Sequence, residues 1–262
     1  NSANDGWIDL RTLTGGVTTT ADATINSVTV GKGANSVAGN TVLGETALDA
    51  SVSGGDNTAI GKNALTTLTS GTKNSALGSG ALQLNTTGDF NTALGSLTLD
   101  ANTTGANNTA CGEGSLSANT TASNNTAVGF QALEENTTGT ENVAVGAIAL
   151  TAATTASYNT GIGRYALGNT TTGGSNTGVG HNVLKENTTG TQNVAVGGST
   201  LDANTTGGAN TAIGENALGA NTTASNNVAV GRVALGANST GTQNVAVGTN
   251  SLDANTTANN NT

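Results

Sequence analysis

A 17-residue unit that repeats without insertion constrains this chain more than any other feature. The consensus is roughly N-T/V-A-V/I-G-x-x-A-L-x-x-N-T-T-G-x-x, and its positions are called columns one to seventeen. A strict period of this length is typical of solenoids, in which each unit covers the apolar surface of its neighbour. The thirteen complete units begin at Asn40, Asn57, Asn74, Asn91, Asn108, Asn125, Asn142, Asn159, Asn176, Asn193, Asn210, Asn227 and Asn244, and Asn261 begins a unit that is cut short.

Three columns indicate which kind of solenoid the unit builds. Column five is Gly and column nine is Leu in all thirteen units, and column four is aliphatic in twelve, with Cys111 as the exception. Columns one to four predict a short strand, and Gly permits the corner that follows it. Two glycine corners leave no room for a helix pair. The sequence therefore predicts an all-β parallel β-solenoid or β-roll of thirteen coils, on the order of 60 Å long at ~4.8 Å per coil.

The alternation of a strand predicts which side chains fill the coil. If column four points inward, column three points outward, and the Leu of column nine packs against column four from a second segment. Representative core positions are then the column-four residues Ile60, Val128, Val145 and Ile213 and the column-nine residues Leu65, Leu133, Leu150 and Leu218, with corner residues Gly61, Gly129, Gly146 and Gly214.

Column three is Ala in ten units, which is unexpected for a strand face exposed to solvent. A continuous row of small apolar residues predicts close packing against another subunit, because a bare apolar stripe favours association. The alternative is that a thin rod tolerates an Ala row in water. We therefore expect an intertwined or side-by-side homotrimeric rod, with an interface that includes Ala59, Ala127, Ala144 and Ala212.

Residues 1–39 do not follow the 17-residue period. They hold the only Trp, Trp7, and an alternating segment from Ile25 to Val30 that predicts a strand. The segment from Asn35 to Gly39 looks like a degenerate partial unit. We expect 1–39 to be an N-terminal cap with a shorter coil, since terminal repeats must close an exposed core; the alternative is a linker. Residues 40–262 then form the solenoid, with its last repeat truncated.

Composition narrows the function classes. Aromatic residues make up only 2% of the chain and charged residues 9%, which would indicate disorder were the period not so strict. The net charge is −9 and the seven Lys and Arg are scattered, so we expect no nucleic-acid partner. No apolar run is long enough for a membrane helix, and we expect no membrane insertion. Because the sequence stops inside a repeat, we expect it to be an excerpt of a longer protein.

The repeats do not contain a pattern of residues typical of a catalytic or metal-binding site. His181 is the only His and occupies the variable column six, and a triad or His-based metal site needs further partners. Cys111 replaces an aliphatic residue in column four, which predicts a structural thiol. Acidic residues recur in column ten without the calcium-binding repeat pattern. We expect no enzyme activity, no cofactor and no metal.

The run N-x-A-V/I-G-x-x-A, with one coil per repeat, resembles the head repeats of trimeric autotransporter adhesins. The typical repeat there is nearer the 14-residue spacing between Asn26 and Asn40, so the added Asn-Thr-Thr-Gly is a departure. The pattern looks closer to the repeat shafts of phage tail fibres, in which a segment like Asp22 to Gly31 leads into Asn-Thr-Ala-Val-Gly repeats. This resemblance covers residues 22–262 and implies a trimeric fibre.

The leading functional hypothesis is a shaft or head segment of a phage tail fibre, located extracellularly on the virion and supporting host attachment. The main alternative is a bacterial trimeric adhesin head on the cell surface. A third is ice binding by the Thr of columns thirteen and fourteen, although adjacent residues of a strand face opposite ways. Self-association is the expected partner interaction, and a host receptor or glycan would be contacted through the few exposed aromatic residues: Phe90, Phe130, Tyr158 and Tyr165.

Overall fold

The computed structural model describes residues 22–262, so the expectations for Trp7 and the rest of 1–21 lie outside the described residues. A single sheet of fifteen short strands follows the order of the chain. The strands are β1 Ala23–Ile25, β2 Val28–Gly31, β3 Thr41–Gly44, β4 Thr58–Ile60, β5 Ser75–Leu77, β6 Thr92–Leu94, β7 Thr109–Cys111, β8 Thr126–Val128, β9 Val143–Val145, β10 Thr160–Ile162, β11 Thr177–Val179, β12 Val194–Val196, β13 Thr211–Ile213, β14 Val228–Val230 and β15 Val245–Val247.

The thirteen strands from β3 to β15 are parallel, and each pairs with the strand of the next coil. In every pairing a residue faces its equivalent 17 positions later, as Ala127 faces Ala144 between β8 and β9. Backbone hydrogen bonds also join successive coils outside the strands; for example, Leu133 N–H donates to the Ala149 carbonyl at 3.0 Å. The prediction of a parallel β-solenoid with 17-residue coils is confirmed.

An antiparallel hairpin precedes the parallel strands. Asn26 and Ser27 both have positive φ, 49° and 67°, and form a tight turn between β1 and β2. The prediction of one strand from Ile25 to Val30 is therefore wrong, because the turn interrupts it. Strand β2 pairs antiparallel with β3, and residues 34–39 then stack on the first full coil through the Asn35 Nδ2 bond to the Val52 carbonyl, 2.9 Å.

The Gly of column five forms a corner at the end of each strand. From Gly61 onward these glycines have φ between 126° and 146°, a region that side chains strongly disfavour. A Cβ on Gly146 would also lie 2.6 Å from the Gly163 carbonyl oxygen of the next coil. The corner assignment of Gly61, Gly129, Gly146 and Gly214 is confirmed, and close stacking is a second reason for Gly.

The leucines of column nine form the centre of the coil, as predicted. Leu65, Leu133, Leu150 and Leu218 are fully buried. They adopt a left-handed backbone conformation, with φ between 51° and 53°, which is unusual for Leu. Ala or another small side chain in column eight is buried beside them, for example Ala149.

The prediction for the two faces of the strand is wrong. Column three points inward: Ala59, Ala127, Ala144 and Ala212 are all fully buried and belong to the core instead of a subunit interface. Column four points outward, so that Val128 is 37% and Ile213 is 41% exposed, and Ile60 and Val145 are half-buried. The coil is narrow and the column-nine Leu occupies its centre, so column three holds Ala or Gly in twelve of the thirteen coils and the buried Val42 in the first.

Two columns of buried Asn tie the coils together. In column one, Asn142 donates to Asn125 Oδ1 from its backbone N at 3.0 Å and from Nδ2 at 3.2 Å, and Nδ2 also donates to the Ala156 carbonyl at 2.8 Å. In column twelve, Asn119 Nδ2 donates to Asn102 Oδ1 at 2.7 Å. These bonds satisfy buried amides that would otherwise destabilise the core.

Candidate functional surface

The outward face of strands β3–β15 forms one uncharged surface that runs along the described coils. We call it the outer face; it consists of columns two and four. Column two is Thr in eight units, Ser in one and Val in four, and neither column contains a charged residue. Its more exposed apolar side chains are Leu43, Leu77, Leu94, Val128, Ile162, Val194, Val196, Ile213, Val245 and Val247.

The size of the outer face matters because isolated exposed aliphatic residues need no explanation, whereas a continuous file does. Thirteen strands at ~4.8 Å spacing extend ~60 Å along the sheet. With a width of about 10 Å, this gives on the order of 600 Å², near the ~800 Å² that each partner buries in a standard protein interface. The outer face is therefore large enough for a specific association.

Cys111 lies on the outer face instead of in the core. It replaces the aliphatic residue of column four in β7, and its side chain is half-buried as a free thiol. The expectation of a structural thiol in the core is corrected, for the same reason that column four as a whole faces outward. The position also makes Cys111 a single natural label on this surface.

A shallow groove lies on another side of the coil, formed by columns six, seven and ten. Leu97 and Phe130 are exposed there, and Gln131 Nε2 donates to Glu134 Oε1 at 2.8 Å. Burial raises the pKa of the Asp100 carboxyl above its usual value, and backbone hydrogen bonds at Asp100 and Ala101 oppose that rise. Asp100 Oδ1 is buried without a hydrogen-bond partner among residues 22–262. The groove combines apolar and hydrogen-bonding groups, but it is open to solvent.

The four aromatic candidates are not brought together. Phe90 and Tyr158 are both in column seventeen but four coils apart, and Phe130 and Tyr165 are in columns six and seven. Lys73 Nζ lies 5.0 Å from the centre of the Phe90 ring, and the Arg164 guanidinium lies 4.4 Å from that of Tyr165. Phe90, Phe130 and Tyr158 are exposed and Tyr165 is half-buried, so the four rings are separate contacts instead of one binding site.

The remaining reactive side chains are dispersed. His181 is exposed in column six. Within residues 22–262, no group of three or more His, Cys, Asp or Glu side chains is placed to hold a metal ion. In the same part of the chain, no helix has the length and apolarity that crossing a membrane requires.

Searches against protein-family models, curated proteins and solved structures returned no match.

Sequence reasoning missed the outer face because the alternation of a strand does not say which of its two faces is inside. The available signal was size. Column eight, next to the buried Leu, is mostly Ala, as is column three, and both columns are filled by small residues because they share the narrow interior. Comparing side-chain volumes would have assigned the larger column four to the outside.

Proposed function

We propose that this chain is a structural segment of an extracellular fibre: a rigid rod that associates with copies of itself and holds a receptor-binding part away from a particle or cell. The observation that carries the proposal is the uncharged outer face, which runs along all thirteen described coils with exposed or half-buried side chains. Burying this face against other copies removes apolar surface from water and stiffens the rod. We propose no enzymatic activity, no nucleic-acid partner and no cofactor for it.

We propose three chains as the assembly. Parallel chains related by a threefold axis would bring equivalent column-four residues together at each level, and a closed arrangement leaves no apolar file exposed. The interface is assigned to columns two and four, and its column-four residues include Val145, Val196 and Ile213. This assignment replaces the column-three interface, because those Ala residues are buried inside each coil.

Light scattering on the 262-residue chain tests the assembly. The expected mass is three times that of one chain, and placing Lys at Val145, Val196 and Ile213 together is expected to give smaller species, since buried unpaired charges are costly. Thr138→Lys on the exposed column fourteen is the control and is expected to leave the mass unchanged. A stable monomer of the natural chain would overturn self-association, and a dimer would overturn the threefold arrangement.

Cys111 provides an independent test of the same arrangement. In a parallel threefold assembly, the Cys111 thiols of all copies lie at one level on the outer face. A short bifunctional thiol reagent is then expected to give covalent dimers, and moving the thiol to the exposed Thr138 in a Cys111→Ser, Thr138→Cys variant is expected to abolish them. Equal cross-linking of both proteins would contradict an interface on the outer face.

The carrier of the fibre is a separate question. Because of the repeat pattern, we propose that the fibre is a phage tail fibre on the virion. The alternative is a bacterial adhesin head. Antibodies raised against residues 40–262 are expected to label fibres on phage particles in electron micrographs. Labelling confined to bacterial cell surfaces would favour the adhesin. Receptor or glycan contacts of this segment are assigned to Phe90, Phe130, Tyr158 and Tyr165, whose rings can stack on a ligand.

A second candidate function is ice binding, and the observation that favours it is the file of Thr in column two. These hydroxyls share the outward face of the parallel sheet with the aliphatic residues of column four. The Thr of column thirteen are less suited, because their hydroxyls donate along the stack, as Thr103 Oγ1 does to the Thr120 carbonyl at 2.9 Å. An ice-binding protein must produce a measurable thermal hysteresis, so the absence of thermal hysteresis would rule out ice binding.

A further inference from the structure

The Asn ladder of column twelve is interrupted at one place in the middle of the rod. It runs from Asn85 to Asn136 and again from Asn187 to Asn255, with each Nδ2 donating to the Oδ1 of the preceding coil. Between the two runs, column twelve holds Ala153 and then Thr170. All of these interior positions are fully buried from Asn85 to Asn238.

The interruption leaves specific polar atoms without partners. Asn136 is held by two Nδ2 bonds, to Asn119 Oδ1 at 3.0 Å and to the Gly139 carbonyl at 3.0 Å. These bonds fix the orientation of the amide, so Oδ1 points toward the coil of Ala153. Within residues 22–262, Asn136 Oδ1 and Thr170 Oγ1 have no hydrogen-bond partner, although both side chains are fully buried.

A backbone carbonyl at the interruption also has reduced bonding. In an uninterrupted coil, the Ala122 carbonyl accepts from Asn108 Nδ2 at 2.9 Å and from Asn119 Nδ2 at 3.1 Å. The equivalent Ala156 carbonyl accepts the bond from Asn142 Nδ2 at 2.8 Å, and Ala153 has no side-chain amide to donate the second. Ala153 stands between Asn136 and Thr170 in column twelve, so the unpartnered Asn136 Oδ1, the Ala156 carbonyl and the unpartnered Thr170 Oγ1 belong to the coil of Ala153 and to the two coils next to it.

We propose that one water molecule is bound inside the solenoid beside Ala153, where other coils have the column-twelve carboxamide. It donates to Asn136 Oδ1 and to the Ala156 carbonyl, which are the two bonds that an Asn Nδ2 makes there, and it accepts from the Thr170 hydroxyl. Three hydrogen bonds are typical of a buried water, and the missing carboxamide has about the ~30 Å³ that one water occupies. Leaving the buried acceptor and hydroxyl unpaired would be costly.

A high-resolution crystal structure of the 262-residue chain tests the proposal directly. The expected result is one ordered solvent peak within hydrogen-bond distance of Asn136 Oδ1, the Ala156 carbonyl and Thr170 Oγ1. In the Ala153→Asn variant, the peak is expected to be replaced by the carboxamide, which restores a bond to Asn136. Natural-protein density without this peak overturns the proposal, and so does a peak that persists in Ala153→Asn.

The matched control is Asn119→Ala, which creates an interruption between Asn102 and Asn136 in the uninterrupted part of the ladder. It is expected to gain a solvent peak bonded to Asn102 Oδ1. Water relaxation measurements in solution give a second readout: the natural chain holds one long-lived water more than Ala153→Asn and one fewer than Asn119→Ala. An equal number of long-lived waters in the natural chain and Ala153→Asn would overturn the proposal even if the variants do not crystallise.

Discussion

At the scale of single residues, some backbone conformations of the coil can be predicted from the sequence and others cannot. The Gly in column five was identifiable from sequence because a fixed Gly at the end of a strand predicts a corner. The left-handed Leu of column nine was not, since Leu rarely adopts φ near 50°. Burial of the Leu side chain and stacking on identical neighbours compensate for this local cost, and both depend on the completed solenoid instead of on local sequence.

Gly146 offers the sharpest test at this scale. We expect Gly146→Ala to lower the free energy of unfolding by at least ~2 kcal/mol, because φ is 133° and the new Cβ would approach the Gly163 carbonyl to 2.6 Å. Gly198→Ala is the control: a Cβ there meets nothing within 4 Å, and its effect should stay within ~0.5–1 kcal/mol of zero. The free energy of unfolding is measured in urea for the natural chain and for both variants. Similar losses for both variants would contradict the close-stacking argument.

At the scale of the strand, the sequence established where each element lies but not how it is turned. The alternating pattern predicted a short strand over columns one to four, and the strands occupy columns two to four; the invariant Leu was correctly assigned to the core. The inward face was misassigned because larger aliphatic residues are normally the buried ones. In this narrow coil a Cβ at Gly161 of column three would already lie 3.4 Å from the Leu150 side chain, so small residues fill the interior and the larger residues of column four lie outside.

Substitutions in strand β9 test which of its two faces points into the coil. We expect Ala144→Leu to lower the free energy of unfolding by ~1–3 kcal/mol or more, because Ala144 is fully buried and the larger side chain overfills the interior. Val145→Thr keeps the branched shape and adds its hydroxyl outside the coil, so it should lower the free energy of unfolding by less than Ala144→Leu does, even though Val145 lies in the proposed interface. The measurement is chemical unfolding at a fixed protein concentration, since self-association would contribute to stability. A larger loss of stability for Val145→Thr than for Ala144→Leu would indicate that column four points inward.

At the scale of the whole molecule, the repeat makes stability nearly one-dimensional, because each coil bonds only to the coils on either side. The period of 17 was readable from the sequence and fixed the register of all twelve parallel pairings. The antiparallel hairpin at β1 and β2 was not, because the turn at Asn26 and Ser27 lies within a segment that resembles a repeat start. Irregular ends lack the repetition from which the register of the other coils could be inferred.

Deleting a coil tests this one-dimensional description. Removal of residues 210–226 joins Ala209 to Asn227 and places Asn227 directly on Asn193, so both Asn ladders continue without a change of register. We expect an unchanged circular dichroism spectrum per residue and one cooperative unfolding transition, with a denaturant dependence reduced in proportion to the lost surface. Removal of residues 210–223 is the control, because it leaves a longer junction coil that cannot stack in register. That protein should unfold in two transitions, and a single unchanged transition in it would show that the coils are not coupled through the 17-residue register.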